Sequence, residues 1–378
     1  MKVSRYVLAT FVFIAALEGF CRLDDYIQWG VGFFSVSSPS NLSVVDDLGK
    51  HGRPNAIFQK WRLNSHGFRN DFEVKKAKIA GQKRVFILGA SESFGLFESD
   101  GMEYPAQLAK LLEEQGYQNL EVINASCAGM SLPDVRIYYE KFISRFQPDL
   151  VIYYPSPTFY LDDPPPTVAP GKNTDTGTIF EVRLLAKTRI LLKKNLPESL
   201  KARRLKWLIG KEIEENRPEW VWHVAPEERL KLFEEDLHDF CDEVQESGSK
   251  IILATHASVL GTPDQTFDTQ QYLEWRRYYP RAGYYCLLEF EKLSNVIIES
   301  VGEDHGLSVL DIDKSIPKTK EYFSDFVHFT DSGSEIFANM AVGVVAVKLD
   351  LDRNNSVAES MPRYVDHPNG KMKSKPPG

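Results

Sequence analysis

Short apolar runs alternate with amphipathic helical stretches through most of this chain, and this alternation restricts its fold most strongly. Runs of this kind are typical of strands that are buried on both faces. Strands separated by helices favour a parallel sheet with right-handed crossovers and helices on both faces, so we expect an α/β protein. The predicted strands are 85–88, 122–123, 150–154, 251–254 and 307–312, and the main helices are near 104–112, 135–146, 230–244 and 286–300.

A serine follows the first of these strands, in Gly-Ala-Ser-Glu-Ser-Phe-Gly at 89–95. Residues that follow a parallel strand lie at the carboxyl edge of the sheet, where such sheets hold their sites. A small residue in a tight strand-to-helix turn gives the same pattern, so Gly-x-Ser is a weak signal by itself.

A histidine and a carboxylate lie near the other end of the chain, in Ser-Asp-Phe-Val-His-Phe-Thr-Asp at 324–331. We expect Asp331 or Ser332 to cap the next helix, because Ser332-Gly-Ser-Glu has capping-box spacing. Asp325 and His328 then lie in the preceding loop, where no capping role explains them. A serine hydroxyl needs a base to take its proton, and that base needs a third group to hold its tautomer. The chain offers all three residue types.

A third segment, Glu-Val-Ile-Asn-Ala-Ser-Cys-Ala-Gly-Met at 121–130, predicts a short strand that breaks into a loop of small residues. Gly129 has no side chain, so its backbone N–H can approach a ligand closely. Backbone N–H groups that point to one place are what an oxyanion needs, although a turn glycine is an equally simple interpretation.

Together the three segments resemble the sequence blocks of the SGNH (GDSL-type) hydrolases, a family of esterases and lipases. The resemblance covers roughly residues 84–348 and implies a three-layer, flavodoxin-like parallel sheet. It implies Ser91 as nucleophile, His328 as general base and Asp325 as the residue that orients the base. It also implies that the backbone N–H groups of Ser91 and Gly129 bind the oxyanion.

One block departs from the family pattern. The third block is usually Gly-x-Asn-Asp, and its Asn completes the oxyanion hole, but here the strand at 150–154 continues as Pro-Ser-Pro-Thr-Phe-Tyr. By register, Thr158 falls at the asparagine and is the predicted third donor, with Ser156 next. Loss of one oxyanion donor costs about 3 kcal/mol of transition-state stabilisation, so the departure concerns catalytic efficiency and substrate class rather than the fold.

The composition excludes several classes of function. The 378-residue chain has a net charge of -8, which is not the basic footprint of a nucleic-acid-binding protein. Its four cysteines do not make a disulfide framework, and no His/Cys cluster has metal-ligand spacing. We therefore expect no metal, no cofactor and no nucleic-acid partner. The expected partner is an acylated small-molecule or polysaccharide substrate.

The N-terminus predicts a membrane anchor. Lys2 and Arg5 precede an apolar stretch that extends to Cys21, interrupted by Glu18, and no clear small-residue cleavage site follows. We interpret residues 1–21 as an uncleaved signal anchor, with a cleaved signal peptide as the alternative. The two basic residues favour a cytoplasmic N-terminus, which places the body on the extracytoplasmic side, periplasmic or extracellular.

The remaining segments flank or interrupt the predicted core. Residues 22–83 form a membrane-proximal lead-in, in which Asn-Ser-His-Gly-Phe-Arg resembles a segment of membrane-anchored bacterial members of the family. The hydrolase-like domain covers 84–350 and contains a helical insertion at about 161–225. Its stretch 183–211 holds ten Lys or Arg and one acid, which is typical of a solvated helical surface or of a cap that contacts anionic lipid or polymer. The polar tail at 351–378 is predicted to be disordered.

Three functions fit these observations. The first is a membrane-anchored serine esterase that removes an O-acyl group, for example from an envelope polysaccharide, through an acyl-Ser91 intermediate that water resolves. The second is an O-acyltransferase, in which a sugar hydroxyl replaces water. The third is a catalytically silent carbohydrate-binding or assembly protein. The missing asparagine favours this third function, and the retained Ser91, Asp325 and His328 oppose it.

Overall fold

The computed structural model describes residues 2–35, 39–167, 182–262 and 264–351, so the predicted tail beyond residue 351 lies outside the described residues. The strands are β1 (Ser43–Asp46), β2 (Gly49–Gly52), β3 (Ile57–Phe58), β4 (Trp61–Arg62), β5 (Lys83–Gly89), β6 (Leu120–Asn124), β7 (Leu150–Tyr154), β8 (Lys250–Ala254) and β9 (Ser308–Leu310). The helices are α1 (Lys2–Trp29), α2 (Ser91–Phe94), α3 (Tyr104–Glu114), α4 (Leu132–Lys141), α5 (Arg183–Asn195), α6 (Glu198–Asn216), α7 (Glu227–Glu246), α8 (Gln265–Arg276), α9 (Tyr284–Asp304), α10 (Ile312–Ser315) and α11 (Asp331–Lys348).

A five-stranded sheet forms the centre of the described residues, in the order β6-β5-β7-β8-β9. Each neighbouring pair is parallel. Counted from the first strand of the sheet along the chain, this is the order 2-1-3-4-5 of flavodoxin-like folds. The predicted α/β fold class, a flavodoxin-like parallel sheet with helices on both faces, is confirmed.

Burial explains why the apolar runs become strands. Four consecutive residues of β5, from Val85 to Leu88, are completely buried, and all five residues of β7 are buried. A strand that is covered on both faces needs apolar side chains on both, which gives a continuous run instead of an alternation. The carboxyl ends of these strands meet at one edge, and the site lies there.

The last strand and the last helix differ from the prediction. Strand β9 is shorter than the predicted 307–312, because the side chain of Asp311 caps the next turn and accepts a hydrogen bond from Lys314 N. The N-cap of α11 is Thr330, not Asp331 or Ser332. Thr330 keeps an extended backbone and its hydroxyl accepts from Gly333 N, which leaves Asp331 free to accept a bond of 2.6 Å from Ser99 N.

The lead-in is built into the domain. Strands β1 and β2, and strands β3 and β4, form two small antiparallel pairs. The backbone N–H of Arg69 donates a hydrogen bond of 2.9 Å to Asn124 O. Its guanidinium donates to the carbonyl oxygens of Phe94 and Gly95. The same guanidinium pairs with Glu103 at 2.9 Å. Arg69 therefore ties the lead-in to the end of α2 and to the start of α3.

Helix α1 extends beyond the predicted anchor of residues 1–21. Among the described residues, the 24-residue stretch Tyr6–Trp29 is long and apolar enough to cross a membrane, and it is almost entirely uncovered by protein. Glu18 accepts hydrogen bonds from the first N–H groups of α5, at Arg183 and Leu184. Lys187 pairs with Asp25 at 2.8 Å. The first helix of the predicted insertion is thus joined to the second half of α1.

Candidate active site

Ser91 lies where β5 turns sharply into α2. The preceding Gly89 has no room for a side chain, because an added Cβ would meet Tyr154 O at 2.8 Å and Ser93 Oγ at 2.4 Å. The single turn of α2 ends at Gly95, whose φ of 82° is left-handed. The two glycines therefore permit a tight strand-to-helix turn that leaves Ser91 partly exposed at the carboxyl edge of the sheet.

The structure brings Ser91, His328 and Asp325 together in that order. His328 Nε2 lies 2.8 Å from Ser91 Oγ, and His328 Nδ1 lies 2.7 Å and 2.8 Å from the two oxygens of Asp325. With Nδ1–H donated to the carboxylate, Nε2 is the acceptor for the serine hydroxyl. This is the geometry of a nucleophile, a base and an orienting carboxylate. The catalytic roles of the three residues stay a prediction.

Asp325 also shapes the loop that carries His328. One carboxylate oxygen accepts the backbone N–H of Val327 at 3.0 Å and that of His328 at 2.9 Å. Ser324 N donates to His328 O at 2.8 Å, which closes the loop on itself. The three-residue spacing in the sequence is therefore the spacing of a local turn that holds base and carboxylate together.

The environment of His328 favours its protonated form. Burial by itself lowers the pKa of the imidazole. The hydrogen bond to Asp325 and the charge of Asp325 raise the pKa by more than burial lowers it, and the charges of Glu92 and Glu98 also raise it. The net result is a pKa above the ordinary value of 6.5. The ring of Phe97 lies 4.8 Å from the imidazole and is 48% exposed, so it forms part of the entrance to the site.

Gly129 lies in the loop after β6, with a left-handed φ of 74°. Cys127 N donates to Gly89 O at 3.2 Å, which holds this loop against the strand that leads to Ser91. The ammonium group of Lys50, from β2, covers Gly129, because an added Cβ would lie 2.5 Å from Lys50 Nζ. A cation from the lead-in therefore lies beside a predicted oxyanion donor.

The predicted third donor is not openly presented. Thr158 is buried in a short 3-10 helix after β7, and its side chain lies beside the Tyr279 hydroxyl. Ser156 lies nearer to the nucleophile in the hydrogen-bond network, because its hydroxyl donates to Glu92 at 3.1 Å. A donor role for Ser156 requires its hydroxyl to release Glu92, and the donor roles of both hydroxyls stay predictions.

The sequence reasoning missed a buried charged cluster behind Ser91. Glu92 accepts a hydrogen bond from Ser91 Oγ at 3.1 Å and approaches His256 Nε2 at 3.3 Å. His256 Nδ1 lies 2.6 Å from Glu291. His256 follows β8 by two residues, so a polar residue just after a buried strand was the available signal. In the described part of the chain, no group of His, Cys, Asp and Glu is arranged to hold a metal ion.

Comparison with known proteins finds likeness only among solved structures. No family model and no curated protein sequence matches the chain. A lipase/acylhydrolase from Enterococcus faecalis is 16% identical, with 72% of this chain and 99% of that chain covered and a TM-score of 0.44. An acetyl xylan esterase (AlAXEase) is 13% identical, with 69% and 99% covered and a TM-score of 0.42. An acetyl xylan esterase from Geobacillus stearothermophilus is 12% identical, with 75% and 100% covered and a TM-score of 0.40. The strand order, not this likeness, establishes the fold.

Proposed function

We propose that this protein is a membrane-anchored serine esterase that hydrolyses O-acyl esters through an acyl-Ser91 intermediate. The observation that carries the proposal is the continuous hydrogen-bonded chain from Ser91 Oγ through His328 to Asp325. Each contact is within the reach that proton transfer needs. The chain lies at the carboxyl edge of a parallel sheet, where a substrate can enter.

The geometry supports a double displacement. His328 Nε2 takes the proton of Ser91 as the hydroxyl oxygen attacks the ester carbonyl, and Asp325 stabilises the imidazolium that forms. Collapse of the tetrahedral intermediate expels the alcohol, which receives the proton from His328. A water molecule then attacks the acyl-Ser91 ester while His328 takes its proton; His328 returns that proton to Ser91 Oγ as the ester C–O bond breaks and the carboxylic acid leaves.

The developing negative charge needs donors near Ser91. The N–H of Ser91 at the start of α2 and that of Gly129 are the proposed pair, with the Lys50 ammonium as a nearby positive charge. Thr158 remains the proposed third oxyanion donor by its register in the sequence. Ser156 is the alternative donor, because its hydroxyl bonds to Glu92 and so lies close to Ser91. Thr158→Ala should lower turnover with little change in stability if Thr158 is the donor.

The proposed substrate class is an O-acyl ester of an envelope polysaccharide. Helix α1 supports a location at a membrane, since Tyr6–Trp29 has the length and composition of a span. Aromatic rings supply an apolar surface beside the base: Phe97 against His328, and the exposed Tyr278 against Phe326. Such rings suit the apolar faces of a sugar or a short acyl group.

The decisive experiment is labelling of the detergent-purified full chain with a fluorophosphonate probe, with Ser91→Ala as the control. We expect covalent labelling of wild type at Ser91 and none of the variant. Release of acetate from acetylated oligosaccharides, with and without an added sugar acceptor, then separates hydrolysis from acyl transfer. Failure of wild type to label would refute the esterase proposal and support the catalytically silent protein.

The membrane anchor has a separate test. The full-length chain should sediment with membranes and resist extraction by alkaline carbonate, as a spanning helix does. A protease added outside intact cells or spheroplasts should cut the body if it lies on the extracytoplasmic side. Recovery of the full-length chain in the cytoplasmic soluble fraction would contradict the anchor. A mature N-terminus near residue 20 would favour a cleaved signal peptide.

A further inference from the structure

A second carboxylate touches the proposed nucleophile. Glu92 is the second residue of α2 and is 4% exposed. One of its oxygens accepts the Ser91 hydroxyl at 3.1 Å, and the other accepts the Ser156 hydroxyl at 3.1 Å. Ser91 Oγ therefore has two acceptors within hydrogen-bond distance, Glu92 and His328 Nε2, for one proton.

On the side away from Ser91, Glu92 contacts a fully buried histidine, His256. His256 lies between two carboxylates, with Nε2 at 3.3 Å from Glu92 and Nδ1 at 2.6 Å from Glu291. The backbone of His256 is held by the Asn295 amide, which accepts from His256 N at 2.7 Å and donates to His256 O at 2.8 Å. The ring of Tyr154 stacks on the imidazole at 5.5 Å.

Glu92 and His256 form a charged pair at the centre of this cluster. Burial lowers the pKa of His256, but Glu291 and Glu92 raise it to about 10, so the imidazole is charged at neutral pH. Burial raises the pKa of Glu92, but the bond from His256 and the charges of His328 and His256 bring it down to about 2. The ionised Glu92 therefore places a negative charge beside Ser91.

We propose that Glu92 is a positioning residue for the proposed serine chemistry. Its carboxylate, fixed by His256 and Glu291, orients the Ser91 hydroxyl and places a second negative charge beside the imidazolium that His328 becomes during acyl transfer. The inference rests on the proposed function and adds a residue to it. Replacing a buried ionic cluster by apolar residues is often neutral or stabilising, so its presence next to a nucleophile calls for a role beyond stability.

The test is the pH dependence of the reaction between Ser91 and a fluorophosphonate, which needs no knowledge of the substrate. Glu92→Gln keeps the shape and removes the charge. Because a negative charge favours the protonated base, we expect the midpoint of the acid limb to fall by about one pH unit. We expect Glu92→Asp, which keeps the charge but withdraws the carboxylate, to retain the midpoint and to lower the plateau rate.

The other charges that face His328 must be kept apart from this effect. They are Asp325 in its own loop and Glu98 after α2, whose pKa burial raises to about 7. Burial raises the pKa of Glu98 against the opposing charge of Arg69, so the titration of Glu98 falls in the same pH range as that of His328. The comparison is therefore repeated in a Glu98→Gln background, where the shift caused by Glu92→Gln should persist.

The outcomes are separable. If wild-type Ser91 does not react, the proposed function fails. If wild type reacts and Glu92→Gln keeps both midpoint and plateau, or if the shift vanishes in the Glu98→Gln background, the role of Glu92 is overturned. If Glu92→Gln does not fold, Glu291→Gln removes one charge from the same cluster without touching Ser91, and a smaller shift in the same direction is expected. An unchanged midpoint in that variant would overturn the inference as well.

Discussion

Asp325 holds the conformation of its own loop and also orients His328. Its carboxylate accepts two backbone N–H groups of its own turn and also faces Nδ1 of His328. A group that is held by its own backbone cannot rotate away when the histidine changes charge, so the tautomer of His328 is fixed in advance.

The pH dependence of activity follows from the environment of His328. Its pKa is raised above the ordinary 6.5, chiefly because the contact with Asp325 outweighs burial. In the proposed mechanism only the neutral imidazole can accept the serine proton, so the proposed activity should be present above this pKa and be lost as the pH falls through it. We expect the acid midpoint of kcat/KM to lie above 6.5. A midpoint well below that value would contradict the arrangement.

The cation over Gly129 gives a second prediction. Lys50→Met keeps the length of the side chain and removes the charge beside a proposed oxyanion donor. We expect turnover to fall by about tenfold, since a lost favourable charge of about 1.4 kcal/mol corresponds to that factor. Lys110→Met, on the exposed side of α3, is the matched control and should leave turnover unchanged. Equal turnover in the Lys50 variant and wild type would remove Lys50 from the site.

Sequence reasoning found the residues that lie in local patterns and missed those that meet only in space. Asp325 and His328 share one turn, and Ser91 follows a buried strand, so each leaves a short-range signature. Glu92 and His256 come from α2 and from the end of β8, and their contact depends on the sheet order. No spacing along the chain encodes it.

The lead-in acts at the scale of elements, through Arg69. Its guanidinium binds the carbonyl groups that end α2 and pairs with the buried Glu103. We expect Arg69→Leu to lower the free energy of unfolding by about 3 kcal/mol, because it leaves a buried carboxylate without its partner. Denaturant unfolding measures the loss. Arg145→Leu, at an exposed position, is the control and should change stability by less than about 0.5 kcal/mol.

The elements of the central sheet were largely predictable, with errors at their ends, but strands β1 to β4 and helix α8 were not predicted. Continuous apolar runs gave the strands of the sheet, because burial on both faces leaves no alternative composition. The predicted N-cap of α11 was wrong. Residues 330–332 are all of types that cap helices, and only the backbone geometry selects Thr330 among them. Helix α1 also continues past the apolar stretch to Asp24 and Asp25, which pair with residues of α5, and composition alone does not reveal these contacts.

For the whole molecule, the buried cluster links stability to pH. The pKa of His256 is raised to about 10. Its contribution to the free energy of unfolding is therefore complete below pH 6.5, its ordinary pKa, and is lost as the pH rises toward 10. The pKa of Glu92 is lowered to about 2, so its contribution is present above the ordinary 4.5 and is lost as the pH falls toward 2. The cluster therefore stabilises the fold most between pH 4.5 and pH 6.5.

Glu291→Gln tests this linkage. The variant removes one partner of His256, so its melting temperature should lie below that of wild type by the largest margin at pH values under 6.5. The margin should narrow as the pH approaches 10, because the imidazole then becomes neutral in both proteins. Thermal unfolding across this range is the measurement. A margin that does not depend on pH would mean that His256 is not charged in the folded state.

The proposed nucleophile and its base stand far apart in the chain, Ser91 at the end of the first strand of the sheet and His328 just before the last helix. A ribosome therefore completes the serine long before it reaches the histidine. In the proposed mechanism the serine hydroxyl lacks its base, His328, until late in synthesis, so a product truncated before residue 325 should not be acylated at Ser91. The proposed activity therefore requires a chain that extends through His328, so the order of translation should delay the chemistry until the protein is nearly complete.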